Sequence, residues 1–134
     1  MKRFDLQGIE LETSAARAFA YLADPTNLPS WTNAFAEASD SDATMRAPEG
    51  EVRVGLEVRA AAENGTVDWF MNFPDGSVAT AFSRLVPLAE SRCAYTFVLT
   101  PPPVALEMLE GALEAQSVIL AEELLRLQSI LATP

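Results

Sequence analysis

Histidine is absent from this chain of 134 residues, and its absence restricts the available chemistry more than any other feature of the composition. Without imidazole there is no Ser–His or Cys–His nucleophilic pair, no imidazole acid–base catalyst and no histidine metal ligand. The single cysteine, Cys93, excludes an intramolecular disulfide. It lies in the apolar run from Cys93 to Phe97, which favours a buried, inert thiol over a nucleophile. We therefore expect neither a metal nor a cofactor.

Positive charge is also scarce, since nine Lys and Arg stand against nineteen Asp and Glu and give a net charge of -10. Binding to nucleic acids depends on neutralising phosphates with cations, so this balance argues against it, and it disfavours anionic membrane surfaces for the same reason. The six glycines are scattered and form no phosphate-binding loop. No segment approaches the ~20 apolar residues of a membrane span, and the N-terminus has no signal-peptide pattern. These absences predict a cytoplasmic protein.

Apolar residues, in contrast, make up 49% of the chain and charged residues 21%, as is usual for globular proteins. This length is typical of one domain, so we expect residues 1–134 to form a single domain.

Strand patterns fill the first three quarters of the chain. Phe4 to Glu12 predicts a first strand, with a change of phase at Gly8 that indicates a β-bulge. Residues 52–60 alternate strictly between apolar and polar positions, and Asn64-Gly65 then predicts a hairpin. Further strands are predicted over residues 66–73, 78–86 and 92–100. Because short turns join them, the sheet should be an antiparallel meander.

Helical patterns occupy two places. After the first strand, Thr13 or Ser14 can cap a helix over residues 15–23. A second short helix should begin near Leu28 and carry Trp31, Ala34 and Phe35 on one side. From Pro101 to Leu131 the period is helical for about eight turns, with one apolar stripe that comprises Leu106, Leu109, Ala112, Leu113, Leu120, Leu124, Leu127 and Leu131.

This order of elements resembles the helix-grip fold of the START and polyketide-cyclase-like superfamily, often abbreviated SRPBCC. The phrase from Phe19 to Pro25, followed by Leu28 to Trp31, is similar to the opening of that superfamily. The stretches 67–69 and 73–76 resemble its mid-sheet hairpin, and residues 122–127 resemble its terminal helix. The predicted fold class is therefore α+β, with a curved antiparallel sheet wrapped around a long C-terminal helix and two short helices after the first strand.

The resemblance implies a cavity between the sheet and the terminal helix, and it transfers architecture better than function. The first hypothesis is binding of a small hydrophobic molecule, such as a lipid or polyketide. A second is an enzyme of the cyclase or dehydratase kind that acts in the same cavity. A third is a protein-interaction module like the co-chaperones that share the fold. The sequence leaves open whether the protein is an enzyme.

Large apolar side chains with a few polar groups are typical of small-molecule pockets. The predicted ligand-binding residues, which equally suit an ordinary packed core, are Trp31, Phe35, Trp69, Met71, Phe73, Phe82, Arg84, Tyr95, Phe97, Leu109, Leu113 and Gln116.

Three polar residues among the candidates have alternative interpretations. Gln116 and Glu123 fall on the apolar stripe of the terminal helix, where Gln116 would orient a ligand and Glu123 would act as a base. Each instead suits an internal hydrogen bond, because an unpaired buried polar group is costly. Arg84 would hold an anionic ligand or pair with Glu123, or else it lies on the surface. An enzyme would use Glu123, Tyr95 or Arg84.

Three apolar or small residues, Gly111, Val118 and Leu125, recur every seven positions on the outward face of the same helix. An exposed apolar strip of this kind indicates a contact in a homodimer.

Overall fold

The fold is seen in a computed structural model, which describes residues 4–47, 50–100 and 106–132; the side chains of residues 47 and 106–112 are not among those described. The elements in chain order are β1 (Asp5–Leu11), α1 (Ala15–Ala23), a 3-10 turn (Pro25–Asn27), α2 (Leu28–Trp31), β2 (Phe35–Ala38), β3 (Asp42–Ala47), β4 (Gly50–Ala61), β5 (Thr66–Asn72), β6 (Val78–Ala89), β7 (Arg92–Leu99) and α3 (Leu106–Ala132).

Within the described residues, seven strands form one antiparallel sheet in the order β1-β7-β6-β5-β4-β3-β2. The curved sheet wraps around α3, whose buried side chains Leu120, Leu124, Leu127 and Leu131 pack against its inner face. This arrangement confirms the predicted α+β helix-grip architecture. No helix in the described ranges combines the length and the apolar character that crossing a bilayer requires.

Local sequence explains where several elements begin and turn. The Ser14 hydroxyl caps α1 by accepting a hydrogen bond from the Arg17 N–H at 3.1 Å. The Asp24 carboxylate caps the 3-10 turn in the same way, through the Thr26 N–H at 3.0 Å. Gly65, between β4 and β5, has a φ of 71°, and a Cβ there would lie 2.3 Å from the Leu85 carbonyl oxygen. Only glycine fits this close approach.

The structure corrects two expectations about the strands. Phe35 begins strand β2 and does not lie on the short helix, which ends at Trp31. The strands β2 and β3 were not predicted. The bulge expected at Gly8 is wrong, because β1 pairs with β7 in unbroken register from Asp5–Leu99 to Leu11–Cys93. As a result Asp5 and Gln7 face inward, and Leu6 is 58% exposed on the outer face.

Candidate ligand-binding site

Four aromatic side chains meet on the inner face of the sheet. Trp69 on β5 stacks on Phe97 on β7, with ring centroids 6.0 Å apart. Trp31, at the end of α2, lies 6.3 Å from Trp69 and 6.4 Å from Phe97. Tyr95 meets Phe97 edge-on at 6.4 Å. These offset and edge contacts are the geometries that aromatic rings prefer, and we call the four residues the aromatic cluster.

Small side chains on the strand between explain how rings from β5 and β7 can touch. The strand β6 lies between those two strands, and its inner face carries Ala79, Ala81 and Ser83. In register, Ala81 is opposite Trp69, and Ser83 is opposite Phe97. Because these side chains are short, the large rings on both sides lean over them. This row of small residues forms the floor of the site.

Two buried donors in the aromatic cluster have no acceptor among the described residues, namely the Trp69 indole N–H and the Tyr95 hydroxyl. Ser83, whose hydroxyl donates to the Val67 carbonyl at 2.6 Å, is the polar neighbour of Tyr95, but the two hydroxyls are not in hydrogen-bonding geometry. Burial raises the pKa of Tyr95 far above its usual value, so the hydroxyl stays protonated. An unsatisfied buried donor costs about 1–3 kcal/mol, so both groups favour a partner that brings an acceptor.

On β5, β6 and β7, the residual exposure of the inner-face side chains increases towards one end. Leu11, Val67, Cys93 and Leu127 are fully buried, at 0% exposure, and so is Tyr95 at the inner limit of the aromatic cluster. At the other end, exposures of 7–8% are found for the four side chains of Phe35, Met71, Ala81 and Phe97. Three further inward-facing residues at that end, Phe73, Ala79 and Leu99, are only half-buried. The space between the sheet and α3 therefore has a sealed end and an accessible end.

A polar group links β1 to α3 at the accessible end. The buried Asp5 carboxylate accepts hydrogen bonds from the Ser117 hydroxyl at 2.7 Å and from the Gln7 amide at 2.6 Å. The Gln7 amide also donates to the Ser117 carbonyl at 2.9 Å. Charge-assisted hydrogen bonds of this kind are stronger than neutral ones. They fix the position of α3 above the first strand, beside the aromatic cluster. Sequence reasoning missed Asp5 and Gln7 because it assumed the bulge at Gly8.

Glu123 is partly buried and is engaged by the protein itself. Its carboxylate accepts a hydrogen bond from the Asn33 N–H at 2.7 Å. Burial raises the pKa of this carboxyl, and the Asn33 hydrogen bond and the charge of Arg126 partly oppose the rise. Of the alternatives for Arg84, the pairing with Glu123 is wrong, and an exposed position on the outer face of β6 is found. Instead, Glu123 attaches α3 to the loop that follows α2.

Most of the predicted ligand-binding residues are brought together on the inner face. Trp31, Phe35, Trp69, Met71, Tyr95, Phe97 and Leu113 are buried there, Phe73 is half-buried beside them, and Gln116 is half-buried on α3. The Leu109 side chain falls outside the described residues. Phe82 and Arg84 do not line the interior, because the inner face of β6 is taken by Ala81, Ser83 and Leu85. Phe82 is 36% exposed and meets Phe70 on the outer face. Thus Arg84, Tyr95 and Glu123 do not form one catalytic group.

An open depression of about 390 Å³ lies elsewhere, between α1 and the turn that joins β4 to β5. Its walls include Ala15 and Phe19 on one side and residues 62–65 and 84–87 on the other. Neither of the unpaired buried donors lies in its walls. Its polar lining residues are Glu63, Asn64 and Arg84, so the predicted residue Arg84 borders this depression and not the aromatic cluster.

No protein-family model matches this sequence, and no curated protein matches it. Solved structures do match. A START superfamily protein from Mycobacterium smegmatis is 14% identical, with a TM-score of 0.64 over 96% of this chain and 99% of the other. The Aha1 dimer from Colwellia psychrerythraea is 18% identical, with a TM-score of 0.66 over 98% of each chain.

A third match is BexL, the di-domain ARO/CYC from the BE-7585A biosynthetic pathway, with 11% identity and a TM-score of 0.73. The alignment covers 99% of this chain and 48% of BexL, so this chain spans about half of that protein. At these identities the matches show the fold alone. The chain has the SRPBCC-type helix-grip fold that its sequence resembles.

Proposed function

We propose that the protein binds a small, neutral, largely apolar molecule that presents an acceptor oxygen, such as a ketone, ester or lactone. The observation that carries this proposal is the pair of unpaired buried donors, Trp69 N–H and Tyr95 O–H, in an apolar aromatic cluster. A ligand carbonyl would satisfy a donor that the protein itself leaves unsatisfied. Rings and methylenes of the ligand would pack on the faces of Trp31 and Phe97.

The scarcity of charged side chains on the described inner face of the sheet supports a neutral ligand. Among the described residues whose side chains project from the strands towards α3, Asp5 is the one that carries a charge, and its hydrogen bonds to Gln7 and Ser117 occupy it. No arginine or lysine is found among those inward-facing strand residues to pair with a carboxylate. Burying an unpaired anion there would be far more costly than burying a carbonyl. The fold match to a START superfamily protein and to an ARO/CYC agrees with a binding cavity between sheet and helix.

We do not extend the proposal to cyclase or dehydratase chemistry, because Arg84, Glu123 and Tyr95 lie in separate environments. Binding is proposed to take place in the cytoplasm, as a function of residues 1–134 acting as one domain.

Intrinsic fluorescence gives a direct test, since both tryptophans of the chain belong to the aromatic cluster. We would titrate the protein with 9-fluorenone and, in parallel, with fluorene, which has the same rings without the carbonyl. Native mass spectrometry would give the stoichiometry, and would also reveal any molecule retained from expression. We expect fluorenone to bind at one per chain and more tightly than fluorene by roughly tenfold, the value of one hydrogen bond to a buried donor. A charged analogue, fluorenone-4-carboxylate, should bind more weakly than fluorenone.

The variant Tyr95→Phe should reduce the preference for fluorenone over fluorene, and the matched change Tyr21→Phe on α1 should leave it intact. Trp69→Phe removes the second donor and should act in the same direction as Tyr95→Phe. Equal binding of fluorenone and fluorene by the wild-type protein would contradict the proposed role of the donors. The absence of any binding, together with no retained molecule in native spectra, would refute the proposed function.

A further inference from the structure

The outer face of the sheet carries a contiguous apolar surface. Leu6, Val98 and Phe82 stand directly opposite one another on the neighbouring strands β1, β7 and β6. Phe70 on β5 lies diagonally beside this row, with its ring 6.0 Å from that of Phe82 and the Arg59 guanidinium 4.0 Å above it. Leu6 is 58% exposed and Phe82 is 36% exposed. We call Leu6, Phe70, Phe82 and Val98 the convex patch. Contiguous exposed apolar surfaces of this kind mark sites of interaction.

Charge distinguishes this face from the rest of the molecule. The outer faces of the seven strands carry five arginines and six carboxylates. These residues are Arg46, Arg53, Arg59, Arg84 and Arg92 with Glu10, Glu37, Asp42, Glu51, Glu57 and Asp68. The net charge of this face is therefore -1, out of -10 for the whole chain. Two copies of an acidic protein repel each other wherever both surfaces are negative. The convex face is close to neutral, so two copies can meet there with little repulsion.

The helix α3 offers a second exposed apolar surface, at Val118 (64%) and Leu125 (58%). It contains five glutamates and one arginine within its 27 residues. A contact between two such helices would bring like charges together, and this is destabilising. The charge distribution therefore favours the convex patch over the helix strip as a contact between copies.

Two opposite charges beside Phe82 have no ion pair with any described residue, namely Arg84 and Asp68. Asp68 is directly across from Phe82 on β5, and Arg84 lies two residues further along β6. With strands ~4.8 Å apart and ~3.3 Å per residue, both charges are at similar distances from Phe82, in perpendicular directions. Consider a two-fold axis that runs parallel to the sheet, above Phe82, along the bisector of these two directions. It would place Arg84 of each copy over Asp68 of the other.

We propose that the convex patch is a homodimer interface with this two-fold axis, in which Arg84 of each copy pairs with the partner's Asp68. The same axis makes the strands of the two sheets cross near a right angle, which is one of the two recurrent ways in which sheets pack. It also places Leu6 opposite the part of the partner's β6 that begins with Val78, which is itself 47% exposed. The interface is isologous, so each contact occurs twice.

Sedimentation velocity on the full chain, from micromolar to millimolar protein, tests the proposal. We expect reversible dimerisation of the 14.5 kDa chain. The charge reversals Arg84→Asp and Asp68→Arg should each raise the dimer dissociation constant at least tenfold, since each places like charges together twice. The double variant Arg84→Asp/Asp68→Arg restores opposite charges across the axis and should return the constant to within about threefold of wild type.

Matched controls separate the alternatives. Leu125→Asp on α3 should leave the dissociation constant unchanged, and Phe82→Ser should raise it by roughly thirtyfold or more, as expected for an aromatic residue at the centre of an interface. Circular dichroism would verify that each variant is folded. A wild-type protein that stays monomeric over the whole range would overturn the proposal. So would a dimer that Leu125→Asp abolishes, or single charge reversals that the double variant does not rescue.

Discussion

The two ends of the space between the sheet and α3 are built differently. At the sealed end, aliphatic side chains from the helix, such as Leu127 and Leu131, interlock with Leu11 and Cys93 on the sheet, and all four are at most 2% exposed. At the accessible end, aromatic rings lie over short side chains on β6, and a hydrogen-bonded polar group links β1 to α3. The first end supplies stability, and the second end is where we propose that a ligand binds.

One helix belongs to both ends. Close aliphatic packing over its second half anchors α3, and nearer its middle Ser117 adds hydrogen bonds to β1. Cys93 belongs to the sealed end, where burial raises the pKa of its thiol and keeps it unreactive. Variants that alter one end at a time test this difference.

The largest effect is expected from truncating the anchor. Leu127→Ala should lower the free energy of unfolding by about 3–5 kcal/mol, because it leaves a cavity among fully buried neighbours. The matched change at the accessible end, Leu99→Ala, should cost only about 1–2 kcal/mol, since that side chain is half-buried. Urea unfolding of both variants measures the difference. Similar losses at the two positions would show that the two ends are equally packed.

A smaller effect is expected from the polar link at the accessible end. Ser117→Ala removes the 2.7 Å hydrogen bond to the buried Asp5 carboxylate, and should cost about 1–2 kcal/mol. Hydrogen exchange should quicken in the first half of α3 and stay unchanged near Leu127, because the sealed end still anchors the helix. The change Val118→Ala, at a 64% exposed position next to Ser117 on the same helix, serves as control. Faster exchange along the whole of α3 would contradict the independence of the two ends.

Removing the unpaired hydroxyl of Tyr95 should hardly change the free energy of unfolding. Tyr95→Phe deletes a buried hydroxyl that lacks an acceptor, so the free energy of unfolding should stay the same or rise by up to about 1 kcal/mol. Thermal unfolding in the absence of ligand measures it. A loss of more than about 1 kcal/mol would mean that the hydroxyl is satisfied in the folded protein, for example by Ser83. Tyr95 would then need no ligand carbonyl as its acceptor.

The sequence predicted the sealed end better than the accessible end. The apolar stripe on α3 from Leu113 to Leu131 was correct because periodic large aliphatic side chains are a strong signal. On β6 the same reasoning failed, since Val78 and Phe82 are larger than Ala79 and Ala81 and suggest the wrong buried face. Ala79, Ala81 and Ser83 are small because Trp69 and Phe97 cover this part of β6 from both sides. This cause depends on neighbouring strands and cannot be read from one segment.

The start of the chain shows a related limit. Phe4 and Leu6 look like core residues, and joining them to Ile9 and Leu11 required a bulge. In the structure β1 is regular, and its inner face begins with Asp5 and Gln7, which are satisfied by Ser117 more than a hundred residues away. A buried polar group whose partner is so distant leaves no local signal. The strands β2 and β3 were missed because they are short and rich in alanine.

The smallest expected effect is a pH dependence of the free energy of unfolding. It comes from Glu123, which lies on α3 between Leu120 and Leu127. Burial raises its folded-state pKa above the ordinary 4.5, so the folded protein favours the protonated carboxyl. The stability that this group contributes is complete below pH 4.5 and is lost as the pH rises through the raised pKa. Glu123→Gln keeps an acceptor for the Asn33 N–H and cannot ionise.

Wild type and the Glu123→Gln variant should therefore have nearly equal free energies of unfolding below pH 4.5, and the variant should be slightly more stable at neutral pH. Because the side chain is only partly buried, we expect the gain to stay under about 1 kcal/mol. Urea unfolding at the two pH values measures it, with Glu122→Gln, on the exposed side of α3, as the matched control. The opposite result would be a variant that is less stable than wild type, and only at neutral pH. Such a result would mean that the Asn33 hydrogen bond and Arg126 outweigh burial, and that ionised Glu123 helps to anchor the helix.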